Sequence, residues 1–235
     1  MYKVAVMIDG SFFRKRLKDL KGSMKPLDEA KFLHQYCFKH LEDSYVKEPI
    51  IMYRIFYYDS MPSEKEIVNP LTGKTENLAE SKEFFWMHSF YDELKKMRKV
   101  ALRTGDLSDS DLKYVIKPMA VDRLIKANKN GKRPRITKDD IVLNIRQKGV
   151  DMKLGIDIAS LSYKHQVDKI VLIAGDSDFV PAAKLARREG VDFVLDPMWN
   201  PIKDNLFEHI DGMKTIEEML PKPSRIFSQK NIQVE

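Results

Sequence analysis

The chain has 235 residues, 43% hydrophobic and 32% charged, with 41 Lys plus Arg against 35 Asp plus Glu and a formal charge of +6. That length suits one α/β domain or two small ones, and the apolar content suffices for a sizeable core, which excludes an intrinsically disordered chain. A single cysteine, Cys37, excludes an intramolecular disulfide and a zinc ribbon, and the five histidines form no His-x-His or His-Glu-x-x-His pair.

Residues 4–8 are a continuous apolar run ending in Asp9-Gly10, the pattern of a buried parallel strand that delivers a carboxylate at its C-terminal end. A helix is predicted over 11–21, with Phe12, Leu17 and Leu20 inward and Arg14, Lys15, Arg16, Lys18 and Lys21 largely outward, stopped by Gly22-Ser23. A second helix over 28–41 and a strand over 50–58 follow. Residues 59–79, with Pro62, Pro70 and Gly73, read as an excursion before a helix over 80–98, whose aromatic residues are more often core than ligand platform. A strand is expected over 100–103, and a weaker one over 141–145. Beyond them the pattern predicts a helix over 151–165, a strand over 169–174, a helix over 179–188 stopped by Gly190, and a strand over 191–195.

Strands alternating with helices imply a parallel sheet covered on both faces, so the expected class is a doubly wound α/β fold. The expected layout is one domain over 1–220, with insertions near 59–79 and 105–140, and a tail over 221–235. No apolar run is long enough to span a bilayer and no signal peptide is visible, so the expectation is a soluble cytoplasmic protein without a membrane partner.

In open parallel sheets, ligands sit outside the C-terminal strand ends, where the strand order reverses. Asp9 ends the first strand, and Asp176 and Asp178 follow the 169–174 strand in Gly175-Asp176-Ser177-Asp178. If those strands are neighbours, three carboxylates meet, and their repulsion is relieved by a hard cation with oxygen ligands. The plain alternative is that each Asp caps the helix after it. Asp151 and Asp157 lie on the next helix upstream. Six residues separate them by roughly 120° of turn and about 9 Å of rise, so they are not equivalent ligands. Asp151, near the helix N-terminus, is the better placed. Asp157 is flanked by Ile156 and Ile158 and, if buried, needs a partner such as a basic group or a contact from behind the acidic centre.

The charge is unevenly spread. Lys113, Lys117, Arg123, Lys126, Lys129, Lys132, Arg133, Arg135 and Lys138 stand against one acid, Asp122, so residues 113–138 carry +8 and the remainder −2. Asn128 to Gly131 marks a turn between a helix and a polar arm bearing Arg133-Pro134-Arg135. Gly73-Lys74-Thr75 lacks the earlier glycine and leading strand of a P-loop, and no Gly-x-Gly-x-x-Gly supports a dinucleotide.

Ile8-Asp9-Gly10-Ser11-Phe12-Phe13, Arg146-Gln147-Lys148-Gly149-Val150-Asp151, Asp157 and Gly175-Asp176-Ser177-Asp178-Phe179-Val180-Pro181, in that order, resemble the NYN domain of the PIN-like nuclease superfamily, including its LabA-like branch. The likeness spans residues 3–215. It implies a Rossmann-like PIN fold and metal-dependent hydrolysis of RNA. Asp9, Asp151, Asp176 and Asp178 match the catalytic, metal-binding acids, and Asp157 matches an additional metal-site acid on the helix. Many members carry Asn in an Asp-Gly-x-Asn motif, where this chain has Phe12.

The implied cofactor is Mg²⁺ or Mn²⁺, and the implied products carry a 5′-phosphate and a 3′-hydroxyl. Ser177, Lys148, Arg146, Lys129, Lys132, Arg133 and Arg135 are the expected substrate contacts. The basic segment offsets the repulsion between an acidic centre and RNA. Two further readings stay open: a catalytically idle RNA-binding adaptor with the same fold, and a phosphatase or nucleotidase acting on small phosphates. The helix over 80–98 and the tail offer a surface for a homodimer.

Overall fold

A computed structural model describes residues 1–107, 112–131, 133–145 and 147–223. The first strand, β1 (Tyr2–Asp9), buries residues 4–8 on both sides, which is why that stretch is apolar without alternation. It leads through α1 (Gly10–Lys21), α2 (Pro26–Lys39), β2 (Ile50–Ser60), the hairpin strands β3 (Glu66–Val68) and β4 (Thr75–Asn77), and α3 (Lys82–Lys96) to β5 (Val100–Leu107). Then come β6 (Lys113–Ile116), α4 (Pro118–Lys129), β7 (Ile141–Asn144), β8 (Gln147–Lys148), α5 (Val150–Tyr163) and β9 (Lys169–Ile173). The remaining elements are α6 (Val180–Arg188), β10 (Asp192–Asp196), α7 (Asp204–Phe207) and β11 (Gly212–Met213).

The main sheet has the order β11-β10-β9-β1-β2-β5-β8. Six strands are parallel, and β8 closes one edge antiparallel to β5. The chain builds one wing outward from β1 through β2 and β5, then returns to build the other through β9, β10 and β11. The strand order therefore reverses between β1 and β9, the place where such Rossmann-like folds bind ligands.

Successive residues of β1 face opposite sides of the sheet. Val4, Val6 and Ile8 pack into the core formed with α1, α2 and α3, while Ala5 and Met7 pack into the core formed with α5 and α6. On α3, Phe90 and Tyr91 belong to the core as expected, whereas Phe85 is exposed.

Three details differ from the sequence expectations. On α1 the fully buried aromatic is Phe13, not Phe12, and two of the bases read as outward turn inward. Arg14 pairs with Asp59, and Arg16 donates to the Met198 carbonyl at 2.8 and 3.2 Å. The 59–79 excursion contains the β3–β4 hairpin. Finally, the basic segment begins as a strand, β6, paired antiparallel with β7. It continues as α4, on which only Ala120 is buried. No helix among the described residues is long and apolar enough to cross a membrane.

Candidate active site

Four acids end or follow parallel strands at the C-terminal edge: Asp9 as the last residue of β1, Asp59 near the end of β2, Asp176 after β9 and Asp196 as the last residue of β10. Asp9 lies in register with Tyr58, the residue before Asp59, and Ile173 lies in register with both Ile8 and Asp196. Asp151 joins them from the first turn of α5, which Gly149 introduces with a left-handed φ of 75°.

Asp9 caps α1. Its Oδ1 accepts from the Phe12 N–H at 3.1 Å and the Ser11 hydroxyl at 2.9 Å. Asp176 likewise caps the short turn that follows it, its Oδ1 accepting from the Asp178 N–H at 3.1 Å. The capping role is thus real for both residues. It engages one oxygen of each, and the Oδ2 atoms carry no hydrogen bond among the described residues. Capping also fixes each carboxylate on a rigid strand end.

Burial raises the Asp9 carboxyl above the ordinary range, and the negative charges of Asp151 and Asp59 raise it further, against the two cap hydrogen bonds. Asp151 is raised first by desolvation and then by Asp176 and Asp178. The acids therefore feel one another across the strand ends.

Two glycines permit this closeness. A Cβ on Gly10 would stand 2.5 Å from the Tyr57 ring, and one on Gly175 would stand 2.5 Å from the Phe12 ring. Phe12, which occupies the place of the motif Asn, is therefore packed over the turn that carries Asp176.

The neighbouring acids are treated differently. Asp59, buried, is paired with Arg14 and accepts from the Tyr57 hydroxyl at 3.2 Å and the Ser60 N–H at 2.8 Å. Asp196, fully buried, accepts from Thr215 at 2.7 Å and the Met198 N–H at 2.8 Å, with His40 Nε2 at 3.0 Å. Asp157 accepts from the Tyr58 hydroxyl at 2.8 Å and Arg103 Nε at 3.0 Å. Arg103 in turn lies over the Phe56 ring at 5.2 Å. Asp157 thus has the basic partner its apolar flanks require. By contrast, Asp9, Asp151, Asp176 and Asp178 form no ion pair among the described residues.

Sequence reasoning missed Asp59 and Arg14, although Asp59 ends its strand just as Asp9 does. Lys203, at the start of α7, was also missed; its Nζ donates to Ser177 Oγ at 3.3 Å and brings a cation beside the Asp176–Asp178 turn. Of the expected substrate contacts, Lys148 is exposed on β8, and Lys129, Arg133 and Arg135 are exposed on the insertion. Arg146 and Lys132 lie outside the described residues.

Among the described residues, no three His, Cys, Asp or Glu side chains already converge tightly enough to hold one metal ion. The donor chemistry nevertheless fits a hard divalent cation: carboxylate oxygens that raise one another's proton affinity and that form no ion pair among the described residues.

A Rossmann-like parallel sheet with unpaired carboxylates at its switch point defines a class of α/β proteins built around a strand-end acidic site. The NYN domain model matches residues 75–202, more than half of the chain, and the protein belongs to the NYN domain family within the PIN-like superfamily. NYN domains are in general nucleases that act on RNA with divalent metals. The matched region holds Asp151, Asp157, Asp176 and Asp178, whereas Asp9 lies before it.

An uncharacterized protein of Methanocaldococcus jannaschii is 26% identical over 125 residues, covering 52% of this chain and 48% of that protein. The chain thus spans about half the length of this curated relative. A protein of unknown function from Vibrio parahaemolyticus, solved by crystallography, aligns over 93% of this chain and 95% of its own, at 12% identity and a TM-score of 0.47.

Proposed function

We propose that the protein is a metal-dependent ribonuclease whose site is formed by Asp9, Asp151, Asp176 and Asp178. The observation that carries this reading is the contrast between acids with and without partners. Asp59, Asp157 and Asp196 each have a cation or imidazole built into the fold, whereas these four form no ion pair among the described residues, Lys203 beside them being hydrogen-bonded to Ser177 rather than to a carboxylate. The like charge that raises the carboxyls of Asp9 and Asp151 is a cost to folding, and an exogenous cation removes it.

The four acids would hold Mg²⁺ or Mn²⁺. Such an ion supplies Lewis-acid stabilisation of the phosphodiester and a lowered pKa for water. The chain's own residues supply position and charge. Asp9 and Asp176 are fixed by their capping oxygens and present the other, and Asp151 completes the edge from α5. Asp157, turned to Arg103 and Tyr58, holds α5 against β2 and β5 and is not among the proposed ligands. Lys203 keeps Ser177 in place. Lys129, Lys132, Arg133 and Arg135 on the insertion, together with Arg146 and Lys148 ahead of α5, neutralise substrate phosphates.

Incubation with total RNA and Mn²⁺ tests the reading, with Asp9→Ala as the control and circular dichroism as the check on folding. The expected result is discrete fragments with 5′-phosphate and 3′-hydroxyl ends, absent with the variant. Equal cleavage by the folded variant refutes the assignment. The adaptor reading has one observation in its favour: among the described residues, no three carboxylates are already gathered tightly enough to hold a metal ion. RNA binding without cleavage in any divalent metal would establish it.

A further inference from the structure

A cavity of about 170 Å³ opens beside the acidic edge, between the end of β2, α3 and the β6–β7 insertion. Its walls include Met61, Phe84, Met87 and Leu143, and its polar end is formed by Arg14, Asp59 and Ser60. We propose that this cavity is a subsite for an unpaired nucleobase of the RNA strand, belonging to a nucleotide that flanks the cleaved phosphate. The proposal rests on the nuclease reading and names a recognition element within it.

Three observations select a nucleobase. First, the charge at the polar end is already neutralised, because Arg14 is paired with Asp59. A phosphate would find no net positive charge there, whereas the uncharged edge of a base can use the remaining guanidinium donors. Second, Ser60 is only 3% exposed and its hydroxyl has no hydrogen-bond partner among the described residues, which is unusual for a buried polar group. The backbone of Ser60 is fully engaged: its N–H donates to Asp59 at 2.8 Å, and its carbonyl accepts from the Tyr91 hydroxyl at 2.9 Å. The residue is therefore held in place while its hydroxyl remains available. Rotation about χ1 is the adjustment required. Third, the rest of the wall is mostly apolar, with Ser63, Ser81 and Glu83 as its other polar residues, and it includes the Phe84 ring, the kind of surface on which bases stack.

Placement agrees with chemistry. Asp59 is one residue beyond the register partner of Asp9, on the adjacent strand. Adjacent strands lie about 4.8 Å apart, so the cavity adjoins the acidic edge. Leu143 belongs to the insertion that carries Arg133 and Arg135. A strand captured by those bases thus has a path over the cavity to the acids.

The test uses the full chain and single-stranded RNA oligonucleotides carrying one 2-aminopurine at successive positions. They are bound to Asp151→Asn by titration and cleaved by the wild type with each natural base at the same positions. The expected result is a saturable fluorescence change at one position, and a cleavage preference for certain bases at that position. Leu143→Trp, which fills the cavity, should abolish both, with a loss of about tenfold or more in kcat/KM for the preferred base, the scale of one stacked base. Ser60→Ala should lower the preference while raising the melting temperature, because it removes an unsatisfied hydroxyl; a merely structural serine would not separate the two effects.

Cleavage without base preference, unchanged by Leu143→Trp, overturns the subsite and leaves the nuclease reading intact. A position-specific fluorescence change, lost in Leu143→Trp, in a protein that never cleaves supports the subsite and refutes the nuclease. Oligonucleotide binding with no fluorescence change at any position overturns the subsite.

Discussion

Arg14 on α1 reaches across to Asp59 at the end of β2 and closes an ion pair in which the carboxylate side chain is 1% exposed and the arginine 21%. The pair separates two kinds of acid at the same sheet edge: Asp59, neutralised within the fold, and Asp9 beside it, which is not. Removing Arg14 alone leaves a buried, uncompensated charge. Arg14→Met is therefore expected to destabilise the protein by about 3–5 kcal/mol. The double replacement Arg14→Met with Asp59→Leu should recover most of that loss. Denaturant titration of the three proteins measures both, and equal stability of single and double variants would contradict the pairing.

Glu29, on α2, is buried, and its Oε1 has no hydrogen-bond partner among the described residues. Burial raises its pKa to about 7, against the attraction of Arg14. The folded state therefore holds the proton more tightly than the unfolded one. This favourable contribution is fully present below the unfolded value of 4.5 and disappears as pH rises through about 7. Glu29→Gln should flatten the loss of stability across that window and stabilise the protein above it by up to about 3 kcal/mol. Melting temperatures of both proteins against pH decide the matter. Parallel curves would show that Glu29 does not titrate there.

The insertion is expected to contribute affinity without sequence readout. Replacing Lys126, Lys129, Arg133 and Arg135 by Gln should flatten the dependence of log K on log salt by about 3 for single-stranded RNA. Binding titrations over a range of salt concentrations measure the slope. An unchanged slope would mean that these residues do not contact phosphates.

Phe12 and Gly175 are coupled by contact, since a Cβ on the glycine would stand 2.5 Å from the ring. Gly175→Ala should destabilise by about 1–3 kcal/mol and displace the Asp176 turn. In a double-mutant cycle with Phe12→Ala, the two changes should be non-additive by about 1 kcal/mol or more, because the smaller residue restores the room. Additivity would place the ring elsewhere.

The central sheet was legible in the sequence because its strands are buried on both faces. β1 and β9 are continuous apolar runs, and the acids that follow them stand where an open parallel sheet binds ligands. The partnerships of the acids were not legible. Arg14 lies among five bases of one helix and looked like part of a solvated face, and the acid it meets is 45 residues away. Arg103 and Asp157 are separated by 54 residues, and Lys203 and Ser177 by 26. Asp59 followed the same strand-end rule as Asp9 but fell just beyond the strand expected over 50–58, at the start of a stretch that reads as an excursion. β6 was hidden within the basic run, because a ribbon paired only with β7 needs no buried face. β11 has two residues, too few for any pattern.

Mn²⁺ binding, followed by calorimetry alongside cleavage of a labelled single-stranded RNA, tests the distinction between unpaired and paired acids most directly. The account predicts that Asp151→Asn and Asp176→Asn each weaken Mn²⁺ binding and lower cleavage by about 100-fold or more. Both variants should also melt at the wild-type temperature or roughly 2 °C above it without metal, since a repulsion is relieved. Asp157→Asn, which loses its contacts to Arg103 and Tyr58, should lower the melting temperature and leave Mn²⁺ affinity unchanged. Loss of Mn²⁺ affinity in Asp157→Asn with retention in Asp151→Asn and Asp176→Asn would contradict the account.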